Sequence, residues 1–156
     1  MERTPGLFAR NCSVRRIDKV TAADFLSRYH RFGDAACRYR YGLFVNRTTG
    51  ATEAEFPKGT LVAVAEFSSA RKWIKPEGTI RSCEWVRYAS VEGLRVIGGM
   101  GKLLEEFVRE VGPDDVMTYA DPAWSKGGEA YLKLGFTLED RICKEGFTSL
   151  KFRKRF

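Results

Sequence analysis

The order of hydrophobic periodicities in this 156-residue chain predicts a mixed α/β fold, a central β-sheet flanked by helices in a single domain over residues 1–156. Three observations carry the prediction. A long alternating run at residues 79–89 leads through a glycine-rich turn into an amphipathic helix. A continuous apolar strand of the buried parallel type, Val116-Met117-Thr118-Tyr119-Ala120, comes next. A second helical spacing and two more strands close the chain, while a strand–helix arm precedes the whole. The length suits one hydrophobic core built without disulfide staples.

Each element follows from local signals. CSVRRI, residues 12–17, reads as the first strand. Thr21 reads as an N-cap with Asp24 three residues on, and Phe25 and Leu26 start an apolar face, which predicts a helix over 22–30. Residues 40–45 and 60–67 read as strands, separated by the hydrophilic, turn-rich NRTTGATEAEFPKG. In TIRSCEWVRYA, Ile80, Ser82, Glu84 and Val86 alternate with Arg81, Cys83, Trp85 and Arg87. Beyond the turn, Leu103, Leu104, Phe107, Val108 and Val111 share one helix side. Residues 115–120 give a strand, 126–134 a helix, 136–139 a short strand and 147–152 the last strand.

Composition narrows the classes of function. No apolar run has the length of a signal peptide's core or of a bilayer span, so a soluble, cytoplasmic protein with no membrane partner is expected. Cys12, Cys37, Cys83 and Cys143 stand singly, without a CxxC pair and beside one histidine, which argues against bound metal and for buried free thiols. The formal net charge is +7. Its basic groups concentrate in RYHRFGDAACRYRY, with Arg28, Arg31, Arg38 and Arg40 among aromatics, and in the terminal KFRKRF. Cations interleaved with aromatics such as Tyr29 and Tyr39 suit phosphate contact and base stacking, which makes a nucleic acid one candidate partner. A solvated basic face over core aromatics is the alternative. Arg87, at the end of the long strand, is a candidate substrate contact or a salt-bridge partner of Glu84 or Glu92.

Two stretches carry candidate chemistry. Gly98-Gly99-Met100-Gly101-Lys102 stands between strand and helix, where free backbone N–H groups form a seat for phosphate. It matches neither GxxxxGK[ST] nor GxGxxG. The other stretch is TYADPAWSKGGEAYLKLGF, in which a buried strand ends in Asp121-Pro122 and a helix carrying Tyr131 follows. Open α/β sheets place ligands beyond such strand ends, so Asp121 is a candidate carboxylate base and Tyr131 a candidate proton donor. Ser125 is either a third polar group of the site or a helix cap. His30 is a candidate base behind the first helix, and Glu66 lies on the strand of residues 60–67.

A long strand, a glycine turn, a helix, a strand and then a helix with Tyr–x3–Gly–Phe resembles the GNAT acyltransferase superfamily over about residues 60–140, most specifically in AYLKLGF. The resemblance implies a GNAT-like sheet, an acetyl-CoA or other acyl-CoA-like donor with its pyrophosphate on Val96, Ile97, Gly98, Gly99, Gly101 and Lys102, and Tyr131 near the CoA sulfur. The turn aligns through Arg95 and Gly98 or, shifted by one, through Gly99 and Gly101. Acyltransferases of this fold often carry an acid where Glu66 stands. RVIGGMGKLL followed by YADPAWSKGGEAYLKLGF is further similar to the Mom family of phage DNA-modification proteins. That likeness implies carbamoylmethylation of adenine N6 in DNA, protecting it from restriction in a bacterial host. It matches Asp121 and Tyr131 to positions that matter there, with His30 as counterpart of an early histidine. On this reading Tyr29, Arg31, Arg38, Tyr39, Arg40 and Arg87 would contact a duplex with a flipped adenine, with Tyr41 another stacking candidate. The alternatives are an acyl-CoA-dependent N-acetyltransferase for a small amine or protein, and a non-catalytic nucleic-acid-binding module. The oligomeric state is left open, a homodimer included.

Overall fold

The computed structural model describes residues 4–48, 50–122 and 128–156. In chain order the elements are β1 (Gly6–Phe8), a 3-10 turn (Ala9–Asn11), β2 (Cys12–Arg16), α1 (Lys19–Tyr29), β3 (Tyr39–Val45), α2 (Ala51–Glu55), β4 (Leu61–Phe67) and β5 (Arg71–Lys75). There follow β6 (Gly78–Ser90), β7 (Arg95–Ile97), α3 (Gly99–Val111), β8 (Asp115–Ala120), α4 (Glu129–Lys133), β9 (Thr137–Lys144) and β10 (Phe147–Arg155). Two compact units divide the chain: Met1–Phe67 with Arg87–Val111, and Ser68–Val86 with Gly112–Phe156. β6 gives its last residues to the first unit and the rest to the second.

In the first unit β2, β3 and β4 are successive antiparallel neighbours, and β6 follows β4. Tyr39 pairs with Phe67 and Tyr41 with Ala65, whereas Arg40 pairs with Glu66 and Gly42 with Val64. Directly paired residues share a face, so the Tyr39, Tyr41 and Phe67 side is distinct from the Arg40 and Glu66 side. α3 covers the tyrosine side: Phe107 stacks on Phe67 with ring centroids 4.0 Å apart and meets Tyr41 edge-on. The helix presents Leu103, Leu104 and Phe107 to this core, the face its periodicity predicts. α1 packs against β3 and β4. A separate two-stranded parallel sheet joins β1 to β7.

In the second unit β6 and β8 run parallel, β8, β10 and β9 are antiparallel neighbours, and β5 pairs antiparallel with β6. Its core holds Trp85, Val116, Phe136, Leu150 and Phe152. The result is the expected class, a mixed sheet flanked by helices.

Several boundaries differ from expectation. α1 is capped by Asp18 rather than Thr21: the Asp18 carboxylate accepts the Thr21 N–H at 2.7 Å from an extended backbone, so the helix begins at Lys19. The hydrophilic connection before β4 contains α2. β5, RKWIK, is exposed at every residue and lacks the alternation that marks a half-buried strand. β9 reaches Lys144 because pairing with β10, not burial, holds it. Cys12 and Cys83 are buried thiols, but Cys37 is only half-buried and Cys143 is exposed, which corrects the uniform reading.

Candidate active site

In the first unit the glycine turn lies between β7 and α3. Gly98 has φ +81°, a left-handed conformation that favours glycine. The first intrahelical bond runs from the Lys102 N–H to the Gly98 carbonyl at 3.1 Å, so the Gly99, Met100 and Gly101 N–H groups precede the helical ladder. Those amides and the helix dipole make an anion seat. The neighbouring residues take other tasks. A Cβ on Gly99 would lie 2.6 Å from Val96 Cγ1 and 3.3 Å from Leu43 Cδ2, so packing alone requires glycine there. Val96 and Ile97 are in β7, paired with β1. The Lys102 ammonium donates to the carbonyls of Ala9 at 2.9 Å and Cys12 at 2.6 Å, tying the 3-10 turn to the helix head instead of presenting itself to a phosphate.

The same unit buries an acid. Glu66 on β4 is 0% exposed, and neither carboxylate oxygen has a hydrogen-bond partner. Its nearest cation is Arg40 on the paired strand, with Nε 3.5 Å from Glu66 Oε2. Burial first, and the Asp34 carboxyl beside it second, push Glu66 up to about 7. One Asp34 oxygen is also buried without a partner. A carboxyl poised near neutrality beside a second carboxyl can accept a proton at working pH. Burial raises the Cys37 thiol to about 12, with Glu66 adding to it, so this sulfur stays protonated.

Around this cluster the segment between α1 and β3 sorts the basic-aromatic run. His30 caps α1, and its Nδ1 accepts the Phe32 N–H at 3.0 Å. Burial and then Arg87 hold its pKa below the usual value, so it is neutral with the proton on Nε2. Arg87 Nε donates to the Gly33 carbonyl at 3.0 Å. Tyr29, Arg31, Phe32 and Arg38 are exposed. Arg40 does not join them, because it lies beside Glu66. Tyr39 packs against Phe107, and Tyr41 is fully buried with its hydroxyl on Glu110 at 2.5 Å. Burial takes Tyr41 out of the stacking candidates, while Tyr39 and Arg40 are half-buried on opposite faces of β3.

In the second unit, Asp121 follows the last residue of β8 and is half-buried. Tyr131 on α4 points its ring into an aromatic cluster, with centroids 5.7 Å from each of Trp85, Phe136 and Phe152. Burial raises its phenol pKa, against the neighbouring Thr118 hydroxyl. α4 itself is a helix of five residues. Its end is a Schellman motif: the Phe136 N–H reaches the Tyr131 carbonyl at 3.0 Å and the Gly135 N–H that of Leu132 at 3.0 Å, with Gly135 at φ +91°. Ser125 lies outside the described residues. Among the described residues, no group of side chains could hold a metal ion. No helix there is long and apolar enough to cross a membrane. Glu66 carries a weak sequence signal. Its signal was an acid inside an otherwise apolar strand, LVAVAEF.

No protein-family model and no curated protein matches the chain by sequence. Solved structures do match. Arabidopsis thaliana NAA60 with acetyl-CoA has a TM-score of 0.65 at 13% identity, covering 92% of this chain and 98% of that one. The spermidine/spermine N-acetyltransferase SpeG of Vibrio cholerae, in complex with manganese ions, scores 0.63 at 10% identity over 94% of both chains. A GNAT family acetyltransferase from Elizabethkingia anophelis with acetyl-CoA bound scores 0.58 at 11% identity, covering 94% and 99%. These likenesses show that the chain has the fold of the GNAT acetyltransferases.

Proposed function

We propose that the protein is an acyltransferase that moves an acyl group from a CoA-type thioester to an amine nitrogen. The glycine turn at the head of α3 carries the reading, with left-handed Gly98 and three amides ahead of the helical ladder fitting a pyrophosphate. The acetyl-CoA held by the Arabidopsis and Elizabethkingia neighbours supports this donor. A bound thioester supplies an activated carbonyl carbon. In the overall transfer a C–N bond forms, the C–S bond breaks, the amine loses a proton and the thiolate gains one. Glu66, raised to about 7, is the proton acceptor of the first unit. Asp121 and Tyr131 belong to the second unit and stand as that unit's own candidate acid–base groups. His30, neutral and bonded through Nδ1, has a positioning role.

Acetyl-CoA and CoA, each at a hundred times its dissociation constant, are expected to stabilise the protein by about 2.7 kcal/mol in a thermal melt. No shift with either ligand overturns the donor assignment. Release of free CoA with a panel of polyamines, peptide N-termini and oligonucleotides then identifies the acceptor.

The exposed Tyr29, Arg31, Phe32 and Arg38 favour one acceptor in particular, the N6 amine of adenine in DNA, as in Mom-type modification. Reaching that amine requires flipping the base from its stack. Transfer from a thioester gives an N6-amide, whereas a carbamoylmethyl group is joined through its methylene carbon. Nucleoside mass spectrometry of host DNA after expression of wild type and Glu66→Gln tells these products apart. Unmodified adenine in both sends the acceptor back to small amines and proteins.

A further inference from the structure

One sheet face of the second unit is unused by this chemistry. Its strand registers align Arg71 with Ser82, Ser82 with Asp115 and Asp115 with Arg155, and likewise Glu84 with Met117 and Met117 with Arg153, while Tyr119 pairs with Lys151. Paired residues share a face, so side chains of β5, β6, β8 and β10 line one surface. The opposite face holds Trp85 and Phe152 against Tyr131. Two depressions mark the first surface, one of about 610 Å³ and one of about 260 Å³, and Trp73 and Arg153 line both.

The charge on this groove is not self-cancelled. Arg153 donates to Asp115 at 2.6 Å and Glu139 at 2.5 Å, and Lys151 lies 3.3 Å from Glu139, which satisfies those two acids. Arg71, Lys75 and Arg155 have no ion pair among the described residues. Between them stand two aromatic side chains in water, Trp73 at 49% and Tyr119 at 43% exposure. Protection of an edge strand explains cations on β5 but not an open tryptophan, which works against it.

We propose that this groove binds an unstacked nucleic-acid strand, with phosphates on Arg71, Lys75 and Arg155 and bases on Trp73 and Tyr119. An acidic peptide would satisfy the cations and leave both rings idle. A strand with its bases splayed uses both, as aromatic platforms on open sheets do. The inference rests on the nucleic-acid reading of the acceptor and assigns it a surface in the second unit.

The test is fluorescence anisotropy of a labelled mixed-sequence single-stranded DNA and its duplex with the full chain. The single strand is expected to bind more tightly. Trp73→Ala and Tyr119→Ala should each weaken it by roughly tenfold or more, the scale of one lost base stack. Arg71→Gln with Arg155→Gln should flatten the slope of log K against log salt by about 0.7 per lost contact. If Trp73→Ala melts well below wild type, Trp73→Phe decides instead: quenching of intrinsic fluorescence by the unlabelled strand must shrink with that tryptophan gone. Wild-type binding by the groove variants, with loss in Arg31→Gln and Arg38→Gln, overturns the groove and leaves the nucleic-acid reading standing. No binding of either DNA by wild type overturns both. Displacement by polyglutamate at matched charge reduces the groove to a polyanion surface and overturns the proposal.

Discussion

The Glu66 carboxyl has lost water without gaining a hydrogen bond, and Arg40 at 3.5 Å is its one ion-pair partner among the described residues. Its folded-state pKa of about 7 stands above the ordinary 4.5. Between those values the folded protein keeps a proton that the unfolded chain has released. Stability is therefore fully present below the lower pKa, falls as pH rises toward 7, and levels off beyond it. Glu66→Gln removes this slope and should raise stability at pH 8 by up to roughly 3 kcal/mol, read from melting temperature against pH. Activity should move the other way, falling on the order of 10²–10⁴ if Glu66 takes the proton. A variant both less stable and fully active would remove Glu66 from the chemistry. At Tyr131 ring and hydroxyl can be separated, since Tyr131→Phe keeps all three ring contacts. It should cost about 0.5–1.5 kcal/mol, the scale of one lost hydrogen bond, so a large loss of transfer would belong to the hydroxyl. Asp121→Ala completes the set: loss of transfer with unchanged melting supports orientation of the amine, and loss of both together marks a structural acid.

The most family-like stretch, AYLKLGF, is also a helix stop. Gly135 sits at φ +91°, Phe136 bonds back to Tyr131 and their rings touch, as a Schellman motif requires. Gly135→Ala should cost about 1 kcal/mol or more, read by chemical denaturation, because the left-handed position penalises a Cβ. This explains what the sequence showed and what it hid. Strong periodicity marked α3, and alternation marked β6, so their positions were legible. The turn between them was legible as three glycines, but Gly99 proves to be glycine because of Val96 and Leu43. β5 and β1 were invisible, since pairing rather than burial pattern makes them strands. The structural role of Lys102 was hidden for the same reason: its two carbonyl partners come from a turn that no local signal announces. Lys102→Met should therefore lower the melting temperature by several degrees, because two carbonyl acceptors lose their shared cation. If it melted as wild type but lost affinity for CoA in the same thermal-shift assay, the lysine would belong to the donor site after all.

At the scale of the whole molecule, the net charge of +7 is unevenly used. Arg16, Arg40, Lys102 and Arg153 are held in internal contacts, whereas Arg38, Arg71 and Arg155 face solvent. Affinity for any polyanion should then respond to salt through solvent-facing cations such as the second group, and Arg40→Gln should leave the salt slope unchanged while altering stability. The α/β fold is assembled from two compact units, each built from separated segments of the chain. That division has a consequence for biosynthesis. β1 pairs only with β7, Gly6 opposite Arg95, and α3 covers the tyrosine face of β3. Once Phe67 has emerged from the ribosome and until Val111 follows it, the early half of the first unit stands with Tyr41, Leu43 and Phe67 bare. It must wait for Val111 before it can close, and a chain stalled in that interval presents an apolar sheet to every holdase in the cell.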